Sequence, residues 1–251
     1  MEDAATAGLT HWEPFIRGPG DLTKRLALAA RVGLGVRSAY FGTTLHNAAS
    51  AHEARVALRA IVDEAKGSDL QYLVTNPDPI SWTQAHDKSD AELIYQAAQL
   101  EELGHMLREA RVRLCYHSHD AEMRRSAREF HHMMLGTTQQ AVGLCLDAHW
   151  VWRGSGNSQL ALMDIVGLYH SRIEILHLRQ SQKGVWDETV RAGDVDYQRL
   201  ADKLNGYGVH PAITIEHAIE NGTPSTLSEL EAHRKSAEFA RKVFSVEAST
   251  R

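Results

Sequence analysis

Four apolar runs in this chain stop on residues able to hold a cation or move a proton. Leu114-Cys115-Tyr116 runs into His117-Ser118-His119, with Glu122 three residues further on, and Leu144-Cys145-Leu146 runs into Asp147-Ala148-His149. Ile175-Leu176 ends in His177-Leu178-Arg179, and Ile213-Thr214-Ile215 ends in Glu216-His217. A carboxylate at the end of a buried run is costly unless a cation or a donor faces it. Four successive run-ends carrying His, Asp, His and Glu therefore point to one site. Imidazole and carboxylate without thiolate suit one divalent ion of the Mn, Zn, Co or Mg type, not copper or an iron–sulfur cluster.

Such side chains converge only if the runs are strands of one sheet. Seven strand candidates are expected, over residues 9–15, 36–41, 70–75, 112–117, 142–147, 173–178 and 212–216. Between them lie segments of helical period, over 21–32, 51–65, 89–110, 121–134, 158–170, 197–205 and 226–244. Asp21, Ser89, Ser158 and Thr226 offer side-chain oxygens as N-caps. The alternation is that of βα units around a parallel sheet. The runs at 112–117 and 142–147 are apolar almost throughout, as strands buried on both faces must be. The expected fold class is an α/β TIM (β/α)8-type barrel, one domain over 1–251, with its first strand missing because the chain opens on a helix end at residues 2–8. Strand alternation would place His117 with His119, Asp147 with His149, and His177 with Arg179 on the same faces.

Composition narrows the partners. The 251 residues are 43% apolar, enough for one large core, and the formal charge of -5 has no basic cluster that would track nucleic acid. No apolar run reaches the length of a bilayer and the N-terminus lacks a basic, apolar leader, so a cytoplasmic protein without a membrane partner is expected. Cys115 and Cys145 lie inside apolar runs and read as reduced core thiols. Of the 15 histidines, His46, His86, His131, His132 and His233 fall on helices or loops and carry no chemistry in this reading.

At Tyr116-His117-Ser118-His119-Asp120-Ala121-Glu122, Leu146-Asp147-Ala148-His149, His177-Leu178-Arg179-Gln180, Gly193-Asp194-Val195-Asp196-Tyr197 and Ile215-Glu216 the sequence resembles the xylose isomerase-like barrel superfamily, from about Asp3 onward. That group includes sugar phosphate isomerases and epimerases, inosose dehydratases, hydroxypyruvate isomerases and endonuclease IV relatives. The resemblance implies one divalent metal held by Asp147, His177 and Glu216, with a first ligand taken from His117, His119 or Glu122. The expected set is Glu122, Asp147, His177 and Glu216, with His117 and His119 as alternatives to Glu122. It also implies proton transfer next to a carbonyl through a metal-stabilised enediolate in a sugar or polyol. Isomerisation or epimerisation follows if the proton returns elsewhere, and dehydration if a neighbouring hydroxyl leaves. His117, His119 and Glu216 are the acid and base candidates. His149 and Arg179 are expected on substrate oxygens, and Trp12, Glu13, Trp150 and Arg153 in a wall against the sugar, with core packing the competing reading for the tryptophans. A homodimer is implied by the resemblance alone. The competing readings are a lyase and a non-catalytic barrel that binds sugar or serves as a subunit. Arg179 and Gln180 depart from the Lys and Asp common in the family after the metal-binding histidine.

Overall fold

The computed structural model describes residues 1–244. Its main sheet is wholly parallel, built from β1 (Ser38–Tyr40), β2 (Tyr72–Thr75), β3 (Arg113–Tyr116), β4 (Val142–Asp147) and β5 (Ile173–Leu178) in that spatial order. A small antiparallel hairpin, β6 (Ser181–Gln182) and β7 (Val185–Trp186), stands apart, and β8 (Ala212–Ile215) then pairs with β5. The helices are α1 (Glu2–Thr6), α2 (Asp21–Arg31), α3 (Ala48–Glu64), α4 (Asp90–Glu109), α5 (Arg124–Leu135), α6 (Ala148–Gly154), α7 (Gln159–Tyr169), α8 (Tyr197–Gly206) and α9 (Glu229–Phe244). The sheet curls into an incomplete barrel with the helices outside.

Alternation along the strands separates two cores. Side chains such as Leu114, Leu144 and Leu176 face the helices and join the large outer core, while Val74, Cys115, Cys145 and Ile175 form a small inner cluster. On β3, β4 and β5 the inner residue lies two positions before His117, Asp147 and His177, so the polar donors form the next layer above an apolar floor. Every residue of β4 is buried, which explains its unbroken apolar run.

The segment at 9–15, expected as a strand, is not a continuous ladder. It touches the sheet through two isolated parallel bridges, His11 with Gly35 and Phe15 with Tyr40. Pro14 has no N–H to give a ladder, but its carbonyl still accepts from Tyr40 N at 2.8 Å. The segment therefore acts as an irregular seventh stave. Among the described residues no strand stands between it and β8, and the barrel is open along that seam.

Ser89 caps α4 in a full capping box with Glu92, and Ser158 caps α7 by accepting from Ala161 N. Asp21 and Thr226 do not cap. Gly20 takes the N-cap position of α2, while Thr226 binds Glu188 and Ser228 accepts from Glu231 N at the start of α9. The helix expected over 121–134 opens instead on a 3-10 turn, Ala121–Met123, followed by Arg125, Ser126 and Ala127 in the left-handed region before it becomes regular.

Gly104 lets α4 pass close over the sheet. A Cβ there would stand 2.4 Å from Ala141 O at the foot of β4. Gly104→Ala is expected to push α4 off the sheet and destabilise the protein by about 1–3 kcal/mol, read as a lower denaturant midpoint at unchanged slope.

Candidate metal centre

The four residues that gather at the top of the sheet are His117, Asp147, His177 and Glu216. One donor atom from each lies within 4.8 Å of all the others. Ligands at about 2.0–2.2 Å from a common ion stand roughly 3–4.4 Å apart, so a slight contraction would close the set. His117 Nε2 is 3.6 Å from Asp147 Oδ2, and His177 Nδ1 is 3.2 Å from Glu216 Oε2. These four atoms are buried, yet none has a hydrogen bond of acceptable geometry. Converging, unsatisfied imidazole and carboxylate atoms fit a divalent ion. Burial would raise the Asp147 carboxyl, but Arg179, His117 and His177 outweigh it and hold the group well below the usual carboxylate range. Glu216 is likewise lowered, with His177 and Arg179 overcoming burial. His117 is pushed down by burial, only partly offset by Asp147, and so stays neutral as a ligand requires.

Local structure explains each position. Asp147 ends β4 and turns the chain directly into α6, its Oδ1 accepting from Trp150 N at 2.9 Å while Oδ2 faces the group. That immediate turn breaks the strand alternation on which His149 was placed beside Asp147. His149 instead bonds Ser181 Oγ at 2.9 Å, and Ser181 donates to Asp194 at 2.7 Å, so it anchors the β6–β7 hairpin and is absent from the cavity wall.

Glu122, the first ligand expected from the sequence, lies elsewhere. It stands outside the four-residue group, fully buried, with Oε2 accepting from His119 N at 2.6 Å. The His-x-His-x-x-Glu spacing closes a loop locally, and the fourth corner is His117. His119 stands beside that corner, its ring 4.8 Å from His117 and edge-on to Trp82 at 5.2 Å. Burial, then His117, pushes its pKa down to about 3.

Arg179 bridges Asp147 Oδ2, at 3.1 Å, and Glu216 Oε2. Its guanidinium lies over Trp150 and Trp186, 5.2 and 5.3 Å from the ring centres. Arg153 is turned to Glu220 and Gly184 O and stacks on Trp186, so it braces the hairpin. Trp12 and Glu13 do line the cavity, a space of about 1110 Å³ that runs from His117, His177 and Glu216 along the seam. Trp82, Trp186 and the Tyr40 hydroxyl, 3.5 Å from His117 Nδ1, were not singled out in the sequence. They come from loops or a short strand whose local pattern carries no sign of the site.

A parallel α/β barrel with His, Asp, His and Glu donors at successive strand ends is the class of protein that fold and site define. The sequence profile of the xylose isomerase-like TIM barrel family matches residues 1–243, and the chain belongs to that family. No curated protein sequence matches it. Among solved structures, a sugar phosphate isomerase/epimerase from Parabacteroides distasonis ATCC 8503 superposes with a TM-score of 0.75 at 15% identity, covering 96% of this chain and 86% of the other. An L-ribulose 3-epimerase gives 0.74 at 14%, with the same coverage. A xylose isomerase-like TIM barrel protein from Mycobacterium smegmatis, solved with magnesium, gives 0.71 at 13%, covering 97% and 86%. Among the described residues, no helix is long and apolar enough to cross a membrane.

Proposed function

We propose that this protein is a divalent-metal-dependent sugar (phosphate) isomerase or epimerase that moves a proton next to a carbonyl. The observation that carries the reading is the set of four donor residues with buried, unsatisfied donor atoms, three of which, His117, His177 and Glu216, line a cavity large enough for a sugar. Solved barrels of similar fold that are named as sugar epimerases support it. When bound, a divalent ion supplies a Lewis acid that polarises the substrate carbonyl.

The chain's own residues then divide the work. His117 is 1% exposed, so substrate does not reach its ring. Glu216 is the donor that substrate can reach, since its side chain is 41% exposed where those of Asp147 and the two histidines are at most 3%. His119, neutral and with Nδ1 unpartnered, lines the same cavity from the end of β3, three places from β8 in the sheet. Glu216 and His119 are the pair placed to take a proton and return it. Arg179 holds both carboxylates in register, and the Trp82 ring walls the cavity beside His119.

A second reading rests on Arg179, whose guanidinium already bridges Asp147 and Glu216 as a resident cation. A barrel neutralised this way would bind sugar without catalysis. Metal content by mass spectrometry, followed by NMR of solvent deuterium entering ketohexoses and inosose-type ketones, separates the two. The expected result is about one divalent ion per chain, lost in His177→Ala, with exchange at the carbon next to the carbonyl that His119→Ala abolishes. Water loss instead of exchange assigns a lyase. A protein that takes up no Mn, Zn, Co or Mg ends the metal-dependent reading.

A further inference from the structure

Glu13 was expected against substrate, yet its carboxylate is turned to a protein group. Oε1 stands 2.8 Å from His177 Nε2, and both side chains are almost wholly buried. The other nitrogen of the same ring, Nδ1, faces Glu216 Oε2 at 3.2 Å inside the donor group. A ring that ligates a cation through Nδ1 keeps its one proton on Nε2, and the Glu13 carboxylate opposite Nε2 is placed to accept that proton. The Nδ1 lone pair is thereby left free for a cation.

We infer that Glu13 is the positioning residue of the metal centre, fixing through Nε2 the tautomer and tilt with which His177 presents Nδ1 to a divalent ion. Histidine ligands tied to a carboxylate in this way bind more tightly because ring orientation and basicity are both set in advance. The inference rests on the proposal that the four donors hold a metal. It adds a mechanical consequence. Glu13 sits on the irregular 9–15 stave, which touches the sheet through only two isolated bridges and borders the open seam. A filled metal site therefore pulls on that stave through His177 and Glu13, and ion binding and the order of residues 11–15 are coupled.

The test uses the full chain stripped of metal and titrated with Zn²⁺ against a competing chelator, with amide hydrogen exchange recorded before and after loading. Glu13→Gln is expected to weaken Zn²⁺ binding roughly 10–100-fold, and Glu13→Asp less, while the melting temperature of the metal-free protein moves little. Loading should slow exchange at His11, Trp12 and Phe15 in the wild type and not in Glu13→Gln. If wild type and both variants bind Zn²⁺ equally tightly, or the stave's exchange responds equally in all, Glu13 has no such role and the metal centre stands without it. If the wild type binds no ion, the metal centre itself fails and this inference falls with it. Should Glu13→Gln not fold, the comparison of Glu13→Asp with wild type reads the same two quantities.

Discussion

Asp147→Ala is expected to strip the protein of metal and to lower its stability by about 4 kcal/mol or more. Two separate losses add. The first is the cap of α6, since Oδ1 accepts from Trp150 N, and removing such a cap costs about 1 kcal/mol. The second is electrostatic. Arg179 is 5% exposed and rests on Asp147 and Glu216, so deleting one carboxylate leaves a buried guanidinium half compensated, a change that typically costs about 3–5 kcal/mol. For a chain of this size the melting temperature should fall by roughly 8–16 °C, measured by calorimetry on metal-free samples so that ion binding does not enter the comparison. Asp147→Asn separates the losses. Its amide oxygen can still cap α6, so part of the stability returns, whereas the missing charge leaves metal binding as poor as in the alanine variant. Metal content at the wild-type level in both variants would remove Asp147 from the centre.

Much of the centre was readable because three of its donors end strands whose apolar runs are unmistakable. β3, β4 and β5 carry an inner residue every second position, and counting two upward from Cys115, Cys145 and Ile175 gives His117, Asp147 and His177 directly. The choice of the first ligand could not be made that way. Glu122 and His117 are both ligand types at one strand end, and what distinguishes them is a backbone bond from His119 N to Glu122 that only the folded loop reveals. His149 was misplaced for a related reason. The expected alternation requires β4 to continue, but a carboxylate at 147 that caps the next residues converts the continuation into α6. The hairpin of β6 and β7 is two residues per strand, too short for any period, and with it Trp186 stayed invisible. Glu13 shows the general limit. Its chemistry depends on His177, far along the chain on β5, and no local pattern encodes such a partner.

Glu122, outside the four-residue group, carries a cost that depends on pH. Burial, then the nearby Glu129, raises its pKa from 4.5 to about 7, against the opposing pull of the His119 amide and Lys88. Because the folded state holds the proton more tightly than the unfolded chain, the stabilisation is fully present below about pH 4.5. It declines as pH rises and is gone once pH passes the folded-state value near 7. In that window the carboxylate ionises freely in the unfolded chain but only at a penalty in the fold, which at neutral pH and above amounts to about 3 kcal/mol. Glu122→Gln keeps an oxygen for His119 N and removes the ionisation. The two proteins should therefore unfold at similar denaturant concentrations near pH 4.5, with the glutamine variant pulling ahead steadily up to about pH 7.5 and holding a constant lead beyond it. A difference that stays flat across the range would mean that Glu122 titrates normally. A destabilising acid beside His119 then calls for a reason in the reaction, and the same pair of proteins supplies the test. The loop that Glu122 closes aims the His119 ring into the cavity, so a glutamine variant that is more stable yet exchanges substrate protons with an altered pH profile would tie the buried acid to the proton transfer.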